Sequence, residues 1–367
     1  VTINKDGTVS IDVSEYISEI LNDFPEEIKA VTTSPAGAGL FIVPHDDKLL
    51  DEGTADYLHS IVAKLQWLMK RGRPDVEVPV SFLSTRVKQP GWSDWVKLRR
   101  VLGFLKHTIN DVRRIGIHNV GELITMVDAS YAVHPNMRGH TGGLLTMGKG
   151  VLHTKSSKQK INTKSSTESE LVGVSEYLPY SIWMTNFLEA QGYKVKKNVL
   201  YQDNMSAMRM EKNGRNSCTG NSRHIHIRYF FVKDRVDKGE VEIHYCPTNR
   251  MVADFYTKPL QGKLFHKLRR FIMGWCTLDE LYDDLGTSTQ TIDNSGGIGS
   301  SDMKECVGEP DESPSSHTNA LQLLQVPLFL DLCSSQTPVM NGWNLQNHDS
   351  EFQLARLNCA FLNITSF

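Results

Sequence analysis

Apolar residues recur at spacings of three and four through the N-terminal third of the chain, the period of amphipathic helices. SEYISEILNDF, 14–24, predicts one short helix. TADYLHSIVAKLQWLMKR, 54–71, puts Leu58, Ile61, Val62, Leu65 and Leu68 on one stripe. SDWVKLRRVLGFLKH, 93–107, does the same with Trp95, Leu98, Val101, Leu102 and Leu105, and leaves Lys97, Arg99 and Arg100 on the exposed side. TSPAGAG, 33–39, is a linker by its Pro and Gly content, and the rest of 1–54 is expected to be loosely ordered. Residues 1–115 thus form a small helical unit with some basic surface.

From Gly121 the texture changes. ELITMVDASYAV predicts a strand ending near Asp128, and HTGGLLTMGKGVLHTK, 140–155, predicts two strands joined by a Gly-Lys-Gly turn. Ser165 and Glu168 make an S-x-x-E capping box, and Leu171, Val174, Leu178 and Ile182 carry the helix on toward Gly192. Glu170 then falls in its first turn, at the edge of the buried face. VLYQD, 199–203, predicts a short strand, and NMSAMRM opens a helix. HIHIRYFFVKDRV, 224–236, predicts a further helix, EVEIHYC, 240–246, a strand, and VADFYTK the start of a last helix near Asp254. Three strands, helix, strand, two helices, strand, helix predict an α/β domain over 120–278. Its mixed sheet is antiparallel in the first half and has parallel crossover strands. Residues 285–367 are rich in Ser, Thr, Gly and acids without periodicity and are expected to be a disordered tail.

Composition adds little until charge is mapped along the chain. With 367 residues, 40% hydrophobic and 22% charged, the protein is an ordinary globular chain long enough for two or three domains. No apolar run approaches the roughly 18 residues of a membrane span, and no leader pattern follows Val1, so neither a membrane helix nor a signal peptide is expected. A start without Met suggests a fragment. Six cysteines without a C-x-x-C indicate neither a zinc site nor a disulfide framework, and an intracellular setting, cytoplasmic particle or nucleus, is expected. The net charge of −2 hides an asymmetry: 194–273 holds 17 Lys or Arg against 7 Asp or Glu, while 279–367 holds 2 against 13. A basic block in a folded region suits a polyanion such as nucleic acid.

Asp128, Glu170, Asp203 and Asp254 each lie at the end of an expected element. Taken singly, each is an ordinary surface carboxylate. Together they lie where α/β sheets form ligand sites, outside the carboxyl ends of strands. Converging acids of this kind bind hard divalent cations such as Mg²⁺. Two such ions about 4 Å apart activate a water and stabilise the leaving oxygen in phosphodiester hydrolysis.

Five segments in order, VDASYA…RGHTGG, SSKQKINTKSSTESEL, YQDNMSA, RHIHIRYFFVKD and NRMVADFYTKPL, resemble the ribonuclease H domain of copia-type retrotransposon Pol polyproteins. MKRGRPDVEVPVSFLS and WVKLRRVLGFLKHT resemble the end of the reverse transcriptase that precedes that domain, and the likeness covers about residues 10–275. The resemblance implies a ribonuclease H-like mixed five-stranded sheet with flanking helices, behind a helical remnant of the reverse transcriptase thumb or connection. It implies cleavage of the RNA strand of RNA–DNA hybrids, with Asp128, Glu170, Asp203 and Asp254 as catalytic residues and ligands of two Mg²⁺ ions, Mn²⁺ substituting. The hybrid and the remainder of Pol are the expected partners, and a membrane is not.

Arg223, Arg228, Lys233 and Arg235 are candidate phosphate contacts, weighed evenly against a solvated helix face. His226 stands where the family often has Asp; it and His224 are expected to be structural. The catalytic Y-x-D-D turn of the polymerase is missing. Asp46-Asp47 and Tyr282-Asp283-Asp284 lie in the wrong contexts, so no DNA synthesis is expected. Two other readings remain: an inactive transposon remnant that at most binds nucleic acid, and an integrase or resolvase relative, against which the order of the five segments argues.

Overall fold

The computed structural model describes residues 1–29, 31–119, 121–214 and 226–287. In chain order the elements begin with β1 (Thr2–Ile3), β2 (Val9–Ile11), α1 (Ser14–Asp23), α2 (Glu52–Arg71), a 3-10 turn (Pro74–Val76), α3 (Glu77–Ser84), α4 (Trp92–His107) and β3 (Arg113–Ile117). There follow β4 (Glu122–Ser130), β5 (His140–Thr146), β6 (Gly148–Lys149), β7 (His153–Lys158), α5 (Ser166–Ala190), β8 (Lys197–Gln202), α6 (Met205–Asn213), α7 (His226–Asp237) and β9 (Glu242–Tyr245). Two further 3-10 turns (Thr248–Arg250, Val252–Tyr256) lead to α8 (Gly262–Ile272) and α9 (Leu278–Thr287). Residues 285–287 complete α9, and the rest of the expected tail lies outside the described residues. Among those described, no helix is long and apolar enough to cross a membrane.

The main sheet has the order β7-β5-β4-β8-β9, with β5 antiparallel to both β4 and β7, β8 parallel to β4, and β9 parallel to β8. This is the mixed five-stranded sheet with flanking helices that the sequence predicted. The α1, α2, α4 and α5 helices fall within two residues of their expected bounds. Three N-terminal expectations fail. The first residues are not loose: β1 and β2 form a hairpin closed at Asp6-Gly7, where Gly7 has φ 76° and Asp6 accepts from Thr8 N–H, and β2 pairs onward with β3. The 33–39 stretch is not a free linker, because Ser34 and Ala36 are buried and Arg100 donates from Nε to Ser34 O and from Nη2 to Ser34 Oγ. Of the basic side chains of α4, Arg99 stays on the exposed side as expected, beside Glu26, whereas Lys97 is largely covered and donates to Ile42 O.

Each face of the sheet has its own core. Val127, Leu145 and Leu200 pack under Val174 and Leu178 of α5. On the other face, Met126 and Leu144 join a cluster that runs through Phe265 and Phe271 of α8 to Leu98 and Phe104 of α4 and Leu58 and Leu65 of α2. The helical unit and the sheet therefore share one apolar core. Polar contacts reinforce the joint along β7, an edge strand whose outward backbone groups would otherwise lack partners. Ser156 N–H donates to Glu77 Oε1 at 3.0 Å, Lys70 Nζ donates to Thr154 O at 2.8 Å, and Ser81 Oγ donates to Ser156 O.

Adjacent glycines in β5 allow both faces to be packed this tightly. A Cβ on Gly143 would meet the Tyr177 ring of α5, and one on Gly142 would stand 2.8 Å from the Tyr256 carbonyl carbon. Gly142→Ala is expected to cost about 1–3 kcal/mol through overpacking and to displace the Val252–Tyr256 turn; a denaturant melt of the full chain checks it.

Candidate metal centre

Parallel pairing of β4 with β8 aligns Met126 with Tyr201. Two residues further on, the same register sets Asp128 beside Asp203, and the two-residue alternation of strands turns both to one face. Asp203 is the first residue past β8, and Asp128 stands two residues before β4 ends. The helix starts at Ser166, behind the expected Ser165 cap, and Glu170 is its fifth residue, just past the first turn. Ser165 Oγ accepts from Glu168 N–H as the capping box predicts, but the Glu168 carboxylate returns to Lys164 N–H rather than to Ser165. One carboxylate oxygen from each of Asp128, Glu170 and Asp203 lies within 4.8 Å of the other two.

Asp254 arrives differently. The expected helix is a 3-10 turn, and Pro259 disfavours helical geometry at Lys258 before it. The turn sets Asp254 beside Asp128 but outside the group of three, with its Oδ1 2.6 Å from Lys258 Nζ. Of the four acids singled out in the sequence, three are thus drawn into one cluster and the fourth stands at its flank.

Neighbouring side chains that the sequence did not reveal hold the acids in place. Thr257 Oγ1 donates to Asp128 Oδ2. Buried Gln202 accepts from Asp203 N–H and Asn204 N–H through Oε1 and turns its amide toward Glu170 Oε2, at 3.5 Å. Thr248 Oγ1 donates to Asp203 Oδ2 at 3.1 Å. The only available signal was adjacency: Gln202 precedes Asp203, and Thr257 and Lys258 follow Asp254 by three and four residues. Polar residues at such spacings are too common to single out.

Burial, then the Asp128 and Asp203 charges, pushes the Glu170 carboxyl well above its ordinary range. Burial and Asp128 raise Asp203 as well, and the same two causes push Asp254 up to about 7. Crowded oxygens of like charge in a half-dry pocket take up protons when no other cation is present. The donor set is all carboxylate oxygen, which fits a hard divalent cation such as Mg²⁺ or Mn²⁺.

A carboxyl whose folded pKa exceeds its unfolded value of about 4 binds its proton more tightly in the folded state. Its contribution to stability therefore declines as pH rises from about 4 to about 7. Buried His134, His140 and His153, pushed down by burial to about 4, 3 and 3, act oppositely, destabilising the fold as pH drops below about 6.5. The cluster is isolated by difference: melting temperature in Mg²⁺ minus that in EDTA should widen from pH 5 to pH 8. A gap independent of pH would contradict this assignment of protons.

Among the candidate phosphate contacts, Arg228 pairs with Glu176 at 3.6 Å, Lys233 with Asp237 at 2.7 Å, and Arg235 with Asp234 and Glu240 at 3.0 and 3.1 Å. Arg223 and His224 lie outside the described residues, as does the His226 side chain. Both unassigned acidic pairs contribute contacts within the fold. Asp47 accepts from Ser93 N–H and Oγ at the start of α4, and Asp284 pairs with Arg270.

The sheet order and the acids at its strand ends define a ribonuclease H-like α/β unit. No family model matches the chain. It is 28% identical over 214 residues, 58% of its length, to the retrovirus-related Pol polyprotein from transposon TNT 1-94 of Nicotiana tabacum. It is 29% identical over 239 residues, 65% of its length, to that from transposon RE1 of Arabidopsis thaliana. A Ty1-NL2 Gag-Pol polyprotein of Saccharomyces cerevisiae matches at 26% over 147 residues. These relatives are copia-type Pol polyproteins, which bears out the resemblance drawn from the five segments. The matches span 16% of the length of each of the two plant relatives and 8% of the yeast one. Among solved structures, a foamy viral protease–reverse transcriptase in complex with RNA/DNA hybrid aligns over 64% of this chain and 27% of its own, at 11% identity and a TM-score of 0.36. A ribonuclease H1 isolated from compost aligns over 46% of this chain and 99% of its own, at 13% identity and a TM-score of 0.27. At such scores neither superposition supports the fold, which rests on strand order and direction.

Proposed function

We propose that the chain is the ribonuclease H section of a copia-type Pol polyprotein and hydrolyses the RNA strand of RNA–DNA hybrids with Mg²⁺ or Mn²⁺. The observation that carries this is the convergence of Asp128 and Asp203, at the carboxyl ends of adjacent parallel strands, with Glu170 of α5, in a chain whose relatives are Pol polyproteins. These three residues would hold the cation, with Asp254 alongside. When bound, the cation supplies Lewis acidity toward the scissile phosphate and a water of lowered pKa.

The protein's own residues prepare the site. Thr257 and Thr248 each engage one carboxylate oxygen, of Asp128 and of Asp203, and so fix the rotamers. Gln202 ties the loop after β8 to Glu170. Preorganised groups of this kind need little rearrangement during reaction. Asp47 and Asp284 are engaged in a helix start and an ion pair, which supports the reading that they are not polymerase carboxylates.

The test uses the full chain with a strand-labelled hybrid. Cutting of the RNA strand in Mg²⁺, absent in EDTA and absent on duplex DNA, is expected. Hybrid binding without cutting would replace this reading with that of a non-catalytic remnant, and joining of duplex DNA ends would replace it with an integrase.

A further inference from the structure

Among the described residues, Lys258 carries the one positive charge in ion-pair contact with these acids. Its Nζ lies 2.6 Å from Asp254 Oδ1 and 4.0 Å from Asp128 Oδ2. The side chain is 42% exposed, against 15% for Asp254 and 6% for Asp128, so the ammonium enters from solvent and caps the flank of the cluster. Its backbone is anchored, since Lys258 N–H donates to Asp254 O at 3.0 Å. Pro259 behind it restricts the chain further.

The contact also divides the acids. Lys258 pairs more closely with Asp254 than with Asp128, and Asp254 is the one left out of the group whose oxygens lie within 4.8 Å of each other. A cation entering between Asp254 and Asp128 must displace an ammonium already paired there, whereas one entering among Asp128, Glu170 and Asp203 displaces nothing from Asp254. An opposite charge at hydrogen-bond distance in a partly buried site interacts strongly enough to make that displacement costly.

Building on the proposed nuclease reading, we propose that Lys258 is a positioning residue that acts as a built-in cation at the second metal position. The free chain then loads one divalent ion at Asp128, Glu170 and Asp203, and a second ion binds at Asp254 only when the ammonium moves aside. Fully ionised, the four carboxylates carry four negative charges; one divalent ion plus the ammonium offsets three of them without a second metal.

Calorimetric titration of the full chain with Mn²⁺ tests this, with the count of bound ions cross-checked by the spin-resonance signal of free Mn²⁺. Wild type should bind one equivalent well separated from any second. Lys258→Met should bind a second at least about ten-fold more tightly than wild type does, and Lys258→Arg should restore the single site. Circular dichroism confirms that each variant is folded, which the exposure of Lys258 favours. Two similar equivalents in wild type, or a Lys258→Met variant with unchanged stoichiometry and affinities, would overturn the role of Lys258 while leaving the nuclease reading intact. No Mn²⁺ bound by wild type would overturn both.

Discussion

Asp128→Asn is expected to abolish RNA-strand cleavage while leaving the chain folded and, in EDTA, slightly more stable. Asp128 is the hub of the site: after burial, its charge is what raises Glu170, Asp203 and Asp254 alike. An amide keeps the shape and can still accept from Thr257, but it removes the charge that a cation needs and that repels three neighbours. Loss of one preorganised electrostatic group typically costs about 10²–10³ in rate, and a loss at least that large is expected here. Relief of repulsion works the other way on stability. It should raise the melting temperature in EDTA at pH 8 by a few degrees, since about 1 kcal/mol corresponds to about 2–4 °C at this size. Greater stability with lost activity is the usual sign of a site whose charge is kept for function. Initial rates on hybrid and a thermal melt of the same preparation check both halves. Unchanged cleavage would remove Asp128 from the catalytic set, and a lower melting temperature would show that its charge supports the apo fold.

Asp75→Asn is expected to have the largest effect on stability. Asp75 is buried between two guanidiniums: Arg73 donates to both of its oxygens at 2.9 Å, and Arg269 Nε donates to Oδ2 at 2.8 Å. Arg269 also reaches Asp111. Burial alone would raise the Asp75 pKa, but Arg73 and Arg269 outweigh it and hold the carboxyl down at about 2. Breaking a buried pair leaves uncompensated charge and costs about 3–5 kcal/mol, or roughly 10 °C in melting temperature. Because the folded pKa is depressed, this contribution is present above the unfolded value of about 4 and is lost as pH falls from there toward 2. The gap between wild type and variant should therefore shrink across that window, which urea melts at pH 7 and pH 3 would reveal. A gap that is small at pH 7 would mean that the apolar core alone joins α8 to the helical unit.

The consequence for dissection is direct. Arg73 and Asp75 precede α3, Arg269 lies on α8, and the apolar cluster around Phe104 and Phe265 spans the same boundary. Removing residues 1–109 would expose that core and the β7 edge that Glu77 and Lys70 cover. Work on the nuclease therefore belongs on the full chain.

What the sequence determined by itself is local or periodic. The stripes of α2, α4 and α5, the alternation of EVEIHYC over β9, and the position of three acids at element ends were legible because a side chain's face follows from backbone period alone. The five ordered segments supplied the family likeness and with it the roles of Asp128, Glu170, Asp203 and Asp254. The Asp6-Gly7 hairpin signal was present but lay between strands of two and three residues, too short for a period to emerge.

Tertiary structure alone decided the rest. No rule of spacing says that Ser156 N–H on β7 will find Glu77, 79 positions away, or that Asp75 will be held by Arg269, 194 positions away. The burial of 34–36, and the internal use of Lys97 and Arg100, likewise arise from segments that only the fold brings together. The same is true at the site. That Asp254 sits on a 3-10 turn, paired with Lys258 and beside Asp128 but outside the close group of three, depends on how the chain after β9 packs across Gly142. Contact between distant segments is set by the whole core, and a single residue's type carries no record of it.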